Sequence, residues 1–211
     1  VEISSFQLEK TFTPTLDIAI LLRIAPDHMD RYATFQEYAD TKVRIANLIK
    51  PNGHLIVNRD VTKLYPHLPF DQVVGFKNEE AVVATLKYFG KTALEINQAL
   101  ATFRTAPHRI EWVKEVNGVN FYNDSKATNV DSVLYALKSM QGPIYLIAGG
   151  KHKGSPYTPL RPYLEEKVKK LFLIGEAAGQ MAEELGSSVS IHVSEYLEKA
   201  IEAAIKEAPP G

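Results

Sequence analysis

The fold class of this chain is decided by the stretch Ile144-Tyr145-Leu146-Ile147-Ala148-Gly149-Gly150. Its unbroken apolar run is typical of a strand buried on both faces, and the paired glycines allow the tight turn that ends the strand. Apolar runs at residues 171–174 and 189–193 follow, with helical patterns between them. This alternation predicts an α/β fold in which mostly parallel sheets are flanked by helices.

The same alternation extends over the rest of the chain. Further strands are predicted at residues 16–24, 55–58 and 73–76. Helices are predicted at residues 34–49, 79–89, 93–102, 130–140, 177–185 and 195–207. Asn117-Gly118 predicts a hairpin between residues 109–116 and 119–123, because both residues tolerate positive φ. A boundary near Thr105-Ala106-Pro107 divides the chain into domains 1–105 and 106–211.

Composition excludes several classes of protein. The 211 residues are 45% hydrophobic and 23% charged, which is typical of a globular chain. The net charge of -1 argues against a nucleic-acid surface. The absence of cysteine excludes thiol catalysis, disulfides and cysteine-held zinc. We expect a soluble, cytoplasmic monomer that binds neither nucleic acid nor a membrane.

Three places in the sequence suggest missing segments. Val1 is not a start methionine and reads as the tail of a strand, while Pro209-Pro210-Gly211 stops directly after a helix. At Phe76-Lys77-Asn78, a strand passes into a helix with almost no connection. We therefore expect residues to be absent at both ends and near residues 77–78.

A lysine interrupts the apolar face of the predicted 34–49 helix, which opens with a Thr34/Glu37 capping box. Spacings of 3, 4, 3 and 4 place one set of residues on a single face: Phe35, Tyr38, Lys42, Ile45 and Ile49. Lys42 either extends its amine to water along its own stem or serves a functional site. Burial would lower its pKa and supply a neutral, nucleophilic amine.

Polar residues cluster where strands end, which is where α/β sheets bind ligands. The segment Pro26-Asp27-His28-Met29-Asp30-Arg31 suits metal binding or charge stabilisation, or else is a surface loop with local salt bridges. Glu2, followed by Ser4 and Ser5, offers a carboxylate of the kind that binds magnesium. Taken alone, this acid is only a weak indication.

Two later loops have the character of anion sites. Asn123-Asp124-Ser125-Lys126-Ala127-Thr128-Asn129 lies between a strand and a helix, where free amides attract phosphate or carboxylate groups. It could equally be an ordinary loop capped by Asn129 or Asp131. Gly149-Gly150-Lys151-His152-Lys153-Gly154 combines a tight turn with two lysines, but it lacks Walker spacing.

Together, and in this order, these segments resemble the Mur ligase family, and within it the D-glutamate-adding members. The resemblance rests on the runs Glu2-Ile3-Ser4-Ser5-Phe6-Gln7-Leu8-Glu9 and Asp27-His28-Met29-Asp30-Arg31-Tyr32, on Lys42, on Pro107-His108-Arg109, and on the Asn123 to Asn129 loop. It covers nearly the whole chain. It implies that residues 1–105 are part of a central ATP-binding domain and residues 106–211 a truncated, Rossmann-like C-terminal domain.

The resemblance also implies a reaction in peptidoglycan precursor synthesis. ATP would phosphorylate the alanine carboxylate of UDP-N-acetylmuramoyl-L-alanine, and the amine of D-glutamate would attack the acyl phosphate, releasing phosphate. The implied catalytic and metal-binding residues, for Mg²⁺ or Mn²⁺, are Glu2, His28 and a carbamylated Lys42. The implied ATP contacts are Asn78, Arg109 and Asp124. The implied substrate contacts are Lys126, Thr128 and Lys153 for D-glutamate, and Ser4 near the muramoyl substrate.

The chain departs from the family pattern in several places. No strand in it is followed by a Gly-Lys-Thr/Ser phosphate loop, and no Gly-x-His-Asn motif precedes Asn78. It carries Arg23 and Ala25 where the family often has asparagine and a hydroxyl residue. We expect the chain as written to be inactive and the intact protein to be active.

Other functions remain open on the sequence. They are a ligase that adds a diamino acid or extends folate with glutamate, and a non-catalytic nucleotide-binding module. A dinucleotide-dependent dehydrogenase is disfavoured because no Gly-x-Gly-x-x-Gly follows a strand.

Overall fold

The computed structural model describes residues 1–75 and 78–208, and the side chain of Asn78 is also outside what it describes. The chain divides into two compact units, Val1–Arg104 and Thr105–Gly211, and each is described by itself. The suspected join at Phe76-Lys77 lies outside the described residues. Within the described ranges, no helix is long and apolar enough to cross a bilayer.

The first unit is built on a three-stranded parallel sheet. Its strands β1 (Leu16–Leu21), β2 (Ile49–Asn58) and β3 (Gln72–Val74) are hydrogen-bonded in the order β1-β2-β3. Its helices are α1 (Ser5–Leu8), α2 (Phe35–Val43), α3 (Arg59–Leu64), α4 (Asn78–Tyr88) and α5 (Ala93–Thr102). Ile56 and Val57 of β2 are fully buried in separate apolar clusters, so the central strand is covered on both faces.

The second unit joins a hairpin to another parallel sheet. The hairpin strands are β4 (Glu111–Val116) and β5 (Val119–Asn123), and the sheet strands β6 (Ile144–Gly149), β7 (Val168–Ile174) and β8 (Ile191–Val193) lie in the order β6-β7-β8. Its helices are α6 (Val130–Ser139), α7 (Arg161–Lys167), α8 (Ala178–Leu185) and α9 (Leu197–Glu207). On β7, Leu171 and Phe172 are fully buried on opposite faces.

The predicted fold class is confirmed, because both main sheets are parallel and flanked by helices. The hairpin is confirmed as well. Asn117 and Gly118 have φ values of 51° and 79°, as a turn with positive φ at both central positions requires.

The predicted 34–49 helix is shorter than expected. Its α-helical part ends at Val43, a 3₁₀ turn follows over Arg44–Leu48, and Ile49 begins β2. The predicted capping box is half formed. The Thr34 hydroxyl accepts the Glu37 N–H, but the Glu37 carboxylate accepts the N–H of Ala33 instead of that of Thr34.

Candidate functional site

The start of the first unit carries Glu2 and Ser4 directly before α1. Glu2 is exposed. Ser4 caps α1 through a reciprocal pair, in which its Oγ accepts the Gln7 N–H at 3.3 Å and Gln7 Oε1 accepts the Ser4 N–H at 2.8 Å. The Ser4 hydroxyl therefore has a local structural role, which is compatible with a substrate contact nearby.

His28 lies at the head of a tight turn. Its backbone is in the left-handed region, with φ of 57°, which is uncommon for a residue with a side chain. The Asp27 carboxylate accepts the His28 N–H at 2.9 Å, and the His28 carbonyl accepts N–H groups from Arg31 and Tyr32 at 2.9 and 3.1 Å. These bonds stabilise the unusual backbone and direct the imidazole towards Phe6, at a centroid distance of 4.8 Å.

Lys42 on α2 is half-buried, and burial lowers the pKa of its amine. The carboxylates of Glu2 and Asp27 are close enough to oppose that shift. Its Nζ lies 5.9 Å from the centroid of Tyr38, and the Tyr38 ring is 6.5 Å from the His28 ring. The structure therefore brings Lys42, Glu2 and the Asp27-His28 turn into one region.

The buried ring of Tyr38 packs beside both the Lys42 amine and the His28 ring. Burial, together with the negative charge of Asp27, raises the pKa of Tyr38 to about 12, so the phenol stays neutral. Asp27 is thus part of the site, although the sequence alone indicated no separate role for this residue. Its position directly before His28 was the available signal.

The groups present fit a hard divalent cation only in part. Among residues 1–75 and 78–208, no three His, Asp or Glu side chains form a cluster able to hold a metal ion. Glu2 supplies one oxygen donor group and His28 one nitrogen donor. Lys42 would complete the set after carbamylation, which converts the amine into an oxygen donor. Its lowered pKa enlarges the neutral fraction that this reaction needs.

In the second unit, hydrogen bonds join the loop at Arg109 to the loop that follows β5. Asp124 Oδ1 accepts the Ile110 N–H at 3.0 Å, and the Lys126 N–H donates to the His108 carbonyl at 3.1 Å. His108 and Ile110, the neighbours of Arg109, have φ values of 66° and 44°. The structure therefore holds Arg109 beside Asp124 and Lys126, and both basic residues are exposed.

The end of this loop is a helix cap. Asn129 Oδ1 accepts the Ser132 N–H at 2.9 Å and so caps α6, which bears out one of the two caps considered from the sequence. Thr128 directly precedes the cap and is exposed. The start of α6 presents backbone amides of the kind that bind anions, so the loop before it is suited to binding an anion.

The Lys153 loop, residues 150–154, follows the end of β6. Hydrogen bonds to Tyr157 fix the chain just after it. His152 Nδ1 lies 3.0 Å from the Tyr157 hydroxyl, and the Tyr157 N–H donates to Glu184 Oε2 at 2.6 Å. Lys153 is partly buried within this segment. Asn78, the remaining predicted ATP contact, begins α4, but its side chain lies outside the described residues.

Two family models match the chain. The Mur ligase middle domain matches residues 1–111, and the Mur ligase glutamate ligase domain matches residues 108–211. The chain belongs to the Mur ligase family. Other members include the UDP-N-acetylmuramoylalanine--D-glutamate ligases of Geobacter metallireducens and Protochlamydia amoebophila, which are 39% and 32% identical to it over 256 and 248 residues.

The chain covers only part of its Mur ligase relatives. Each of those two matches includes 100% of this chain and 56% of the relative, so the chain spans about half the length of the curated relatives it matches. MurF from Acinetobacter baumannii aligns with a TM-score of 0.72 at 15% identity, over 90% of this chain and 53% of that one. A Mycobacterium tuberculosis folylpolyglutamate synthase aligns with a TM-score of 0.64 at 14% identity, over 90% and 57%. These two likenesses show the shared fold.

Proposed function

We propose that this protein adds D-glutamate to UDP-N-acetylmuramoyl-L-alanine in an ATP-dependent ligase reaction of peptidoglycan synthesis. The observation that carries the proposal is the 39% identity, over the whole of this chain, to a relative named as that ligase. ATP phosphorylates the alanine carboxylate, the D-glutamate amine displaces phosphate from the acyl phosphate, and ADP and phosphate are released. Because nucleotide-linked precursors and ATP are cytoplasmic, the reaction implies a cytoplasmic enzyme.

The proposed metal site consists of Glu2, His28 and Lys42, with Mg²⁺ as the ion and Mn²⁺ as an alternative. The ion would neutralise charge on the phosphates of ATP. The proximity of Lys42 to the Glu2 carboxylate and to the Asp27-His28 turn supports this assignment.

Lys42 would enter the site as a carbamate. Carbon dioxide adds only to a neutral amine, and burial favours that form by lowering the pKa of Lys42. ¹³C NMR of protein equilibrated with ¹³C-bicarbonate should show a carbamate signal that is absent from Lys42→Arg. Lys50→Arg is the matched control, because Lys50 is exposed and paired with Asp17 at 2.7 Å. A carbamate spectrum that Lys42→Arg leaves unchanged would exclude carbamylation at this residue.

The second unit would contribute ATP and D-glutamate contacts. Arg109 and Asp124 are proposed to contact ATP, together with Asn78 of the first unit. Lys126, Thr128 and Lys153 are proposed to bind the carboxylates of D-glutamate, and Ser4 to lie near the muramoyl substrate. The exposed side chains of Arg109 and Lys126, on loops that hydrogen bonds hold together, support an anion-binding role.

We propose that residues 1–105 belong to the central ATP-binding domain and residues 106–211 to the C-terminal domain of the family. The match with the Geobacter metallireducens relative extends over 256 residues, against the 211 residues of this chain. The alignment therefore includes positions that this chain does not fill, which supports the inference of a missing internal segment.

The test is phosphate release by protein expressed from the complete reading frame. Release should require ATP, UDP-N-acetylmuramoyl-L-alanine and D-glutamate together, and the product should contain glutamate. Replacing D-glutamate with lysine or diaminopimelate should abolish release. Turnover with a diamino acid, or with a folate and glutamate, would identify a different ligase of the family. Nucleotide binding without any amino-acid-dependent release would identify a non-catalytic module.

A further inference from the structure

A carboxylate outside the proposed metal site ties two segments of that site together. Glu9, at the end of α1, accepts a hydrogen bond from Arg31 Nη2 at 2.5 Å through Oε2 and one from the Tyr32 hydroxyl at 2.6 Å through Oε1. Its donors are 22 and 23 residues away in the sequence. Glu9 therefore joins α1, which begins three residues after Glu2, to the turn that carries His28.

Both partners of Glu9 contact the ring that supports the His28 imidazole. The Arg31 guanidinium lies 4.6 Å from the centroid of Phe6, and the Tyr32 ring is parallel to Phe6 at 6.4 Å. Phe6 in turn lies 4.8 Å from the His28 ring. A shift of Arg31 or Tyr32 would therefore be transmitted to the side chain that is proposed to bind the metal.

The His28 backbone depends on the same two residues. A residue with φ of 57° is maintained only where its surroundings hold it, and the amides of Arg31 and Tyr32 close the turn on the His28 carbonyl. By fixing the side chains of these two residues, Glu9 stabilises the turn from outside. Without Glu9, His28 would have access to more common backbone conformations, in which the imidazole points elsewhere.

The location of Glu9 favours an effect on geometry over one on global stability. The Glu9 side chain is 25% exposed and that of Arg31 is 51% exposed, and ion pairs with such access to water contribute little to folding. The hydrogen bond from Tyr32, followed by that from Arg31, lowers the pKa of Glu9, so the carboxylate is ionised at neutral pH. An ionised carboxylate can accept both bonds at once.

We propose that Glu9 is a positioning residue that holds His28 in place for metal binding, an inference that rests on the proposed function. Removal of a group that orients a metal ligand typically weakens metal affinity by about 10–100-fold. Glu9→Gln should therefore weaken Mn²⁺ binding by at least about 10-fold, with little change in Tm. Tyr32→Phe removes one of the two bonds and should have a smaller effect.

The experiment is a Mn²⁺ titration of the full-length protein, followed by water-proton relaxation, with Tm measured on the same samples. Asp17→Asn is the matched control, because it also removes an ion-paired carboxylate of the first unit, and it should bind Mn²⁺ like the wild type. Glu2→Gln, at a proposed ligand, should lose binding.

The outcomes separate the two claims. If Glu2→Gln loses Mn²⁺ binding while Glu9→Gln stays within about twofold of the wild type, the role of Glu9 is refuted and the metal site stands. A loss of affinity in Glu9→Gln that accompanies an equal loss of folded protein would also refute it, since Glu9 would then be merely structural. If the wild type binds no Mn²⁺, or Glu2→Gln binds as well as the wild type, the proposed metal site fails and the inference about Glu9 fails with it.

Discussion

Gly149 ends β6 at the beginning of the Lys153 loop, and replacing it with alanine tests how closely β6 and β7 approach there. A Cβ at this position would lie 1.9 Å from the carbonyl oxygen of Ile174 and 2.9 Å from its carbonyl carbon. Neither atom belongs to a flexible side chain, so the strands would have to separate. The φ of 143° adds a second cost, because residues with a side chain rarely adopt it.

The magnitude follows from these two contributions. An unfavourable backbone conformation costs about 1–3 kcal/mol. Insertion of a methyl group into a filled space costs about 1–3 kcal/mol more. Gly149→Ala should therefore lower the free energy of unfolding of the second unit by about 2–6 kcal/mol, and its Tm by roughly 10–40 °C at about 4–8 °C per kcal/mol.

Two other glycines of the second unit, Gly150 and Gly179, separate the backbone cost from the steric cost. Gly150 has φ of 107°, but an added Cβ would meet nothing within 4 Å, so Gly150→Ala should show only the backbone cost of about 1–3 kcal/mol. Gly179 lies within α8, where a Cβ also meets nothing within 4 Å. Gly179→Ala should stabilise the unit by up to about 1 kcal/mol through helix propensity.

The assay is guanidinium unfolding followed by tryptophan fluorescence. Trp112 is the only tryptophan in the sequence and lies in β4, so the signal reports on the second unit. If Gly149→Ala proves as stable as Gly150→Ala, the close approach of β6 and β7 at Gly149 is wrong.

Two further predictions concern single polar side chains. The backbone N–H of Thr92, followed by the side chains of Lys91 and Thr92, lowers the pKa of Glu95 to about 2. The stabilisation from Glu95 is therefore complete above its ordinary pKa of 4.5 and is lost as the pH falls towards 2. Tm profiles by circular dichroism should accordingly fall less steeply between these pH values in Glu95→Gln than in the wild type. Asn129→Ala removes the cap of α6 and should lower the free energy of unfolding of the second unit by about 1 kcal/mol, measured in the same fluorescence assay. An unchanged unfolding midpoint would mean that the Ser132 amide finds another partner.

The parallel sheets could be predicted because β7, the central strand, is buried on both faces and the apolar residues of β6 beside it are partly buried. Such strands read as continuous apolar runs, and β6 and β7 begin within three residues of their predicted starts. α7 was missed because Pro162 argues against a helix in a sequence reading. The structure places this proline in the first turn, where no N–H is needed.

The true start of β2 could not be predicted, because Pro51, Asn52 and Gly53 read as a turn. In the structure, Leu16 pairs with Ile49 and Ile18 with His54, so the register jumps across this segment. The turn residues therefore do interrupt regular pairing, as their types indicate. Ile49 nevertheless joins the sheet through a partner more than 30 residues away, which local patterns do not reveal.

The residues of the candidate site also differ in whether local sequence or long-range contacts reveal them. Lys42 could be found because an amine on an apolar helical stripe is anomalous within its own helix. Whether that amine is buried depends on how the rest of the first unit packs around it, and the Glu2 and Asp27 carboxylates that oppose the pKa shift come from other segments, so only the structure shows that the pKa of Lys42 is lowered. Glu9 gave no signal, since a glutamate at the end of a short helix is unremarkable until Arg31 and Tyr32 are seen to bind it. If Glu9 holds His28 as proposed, the ligands of such a site are visible as local irregularities in sequence, while the residues that orient them are visible only through long-range contacts.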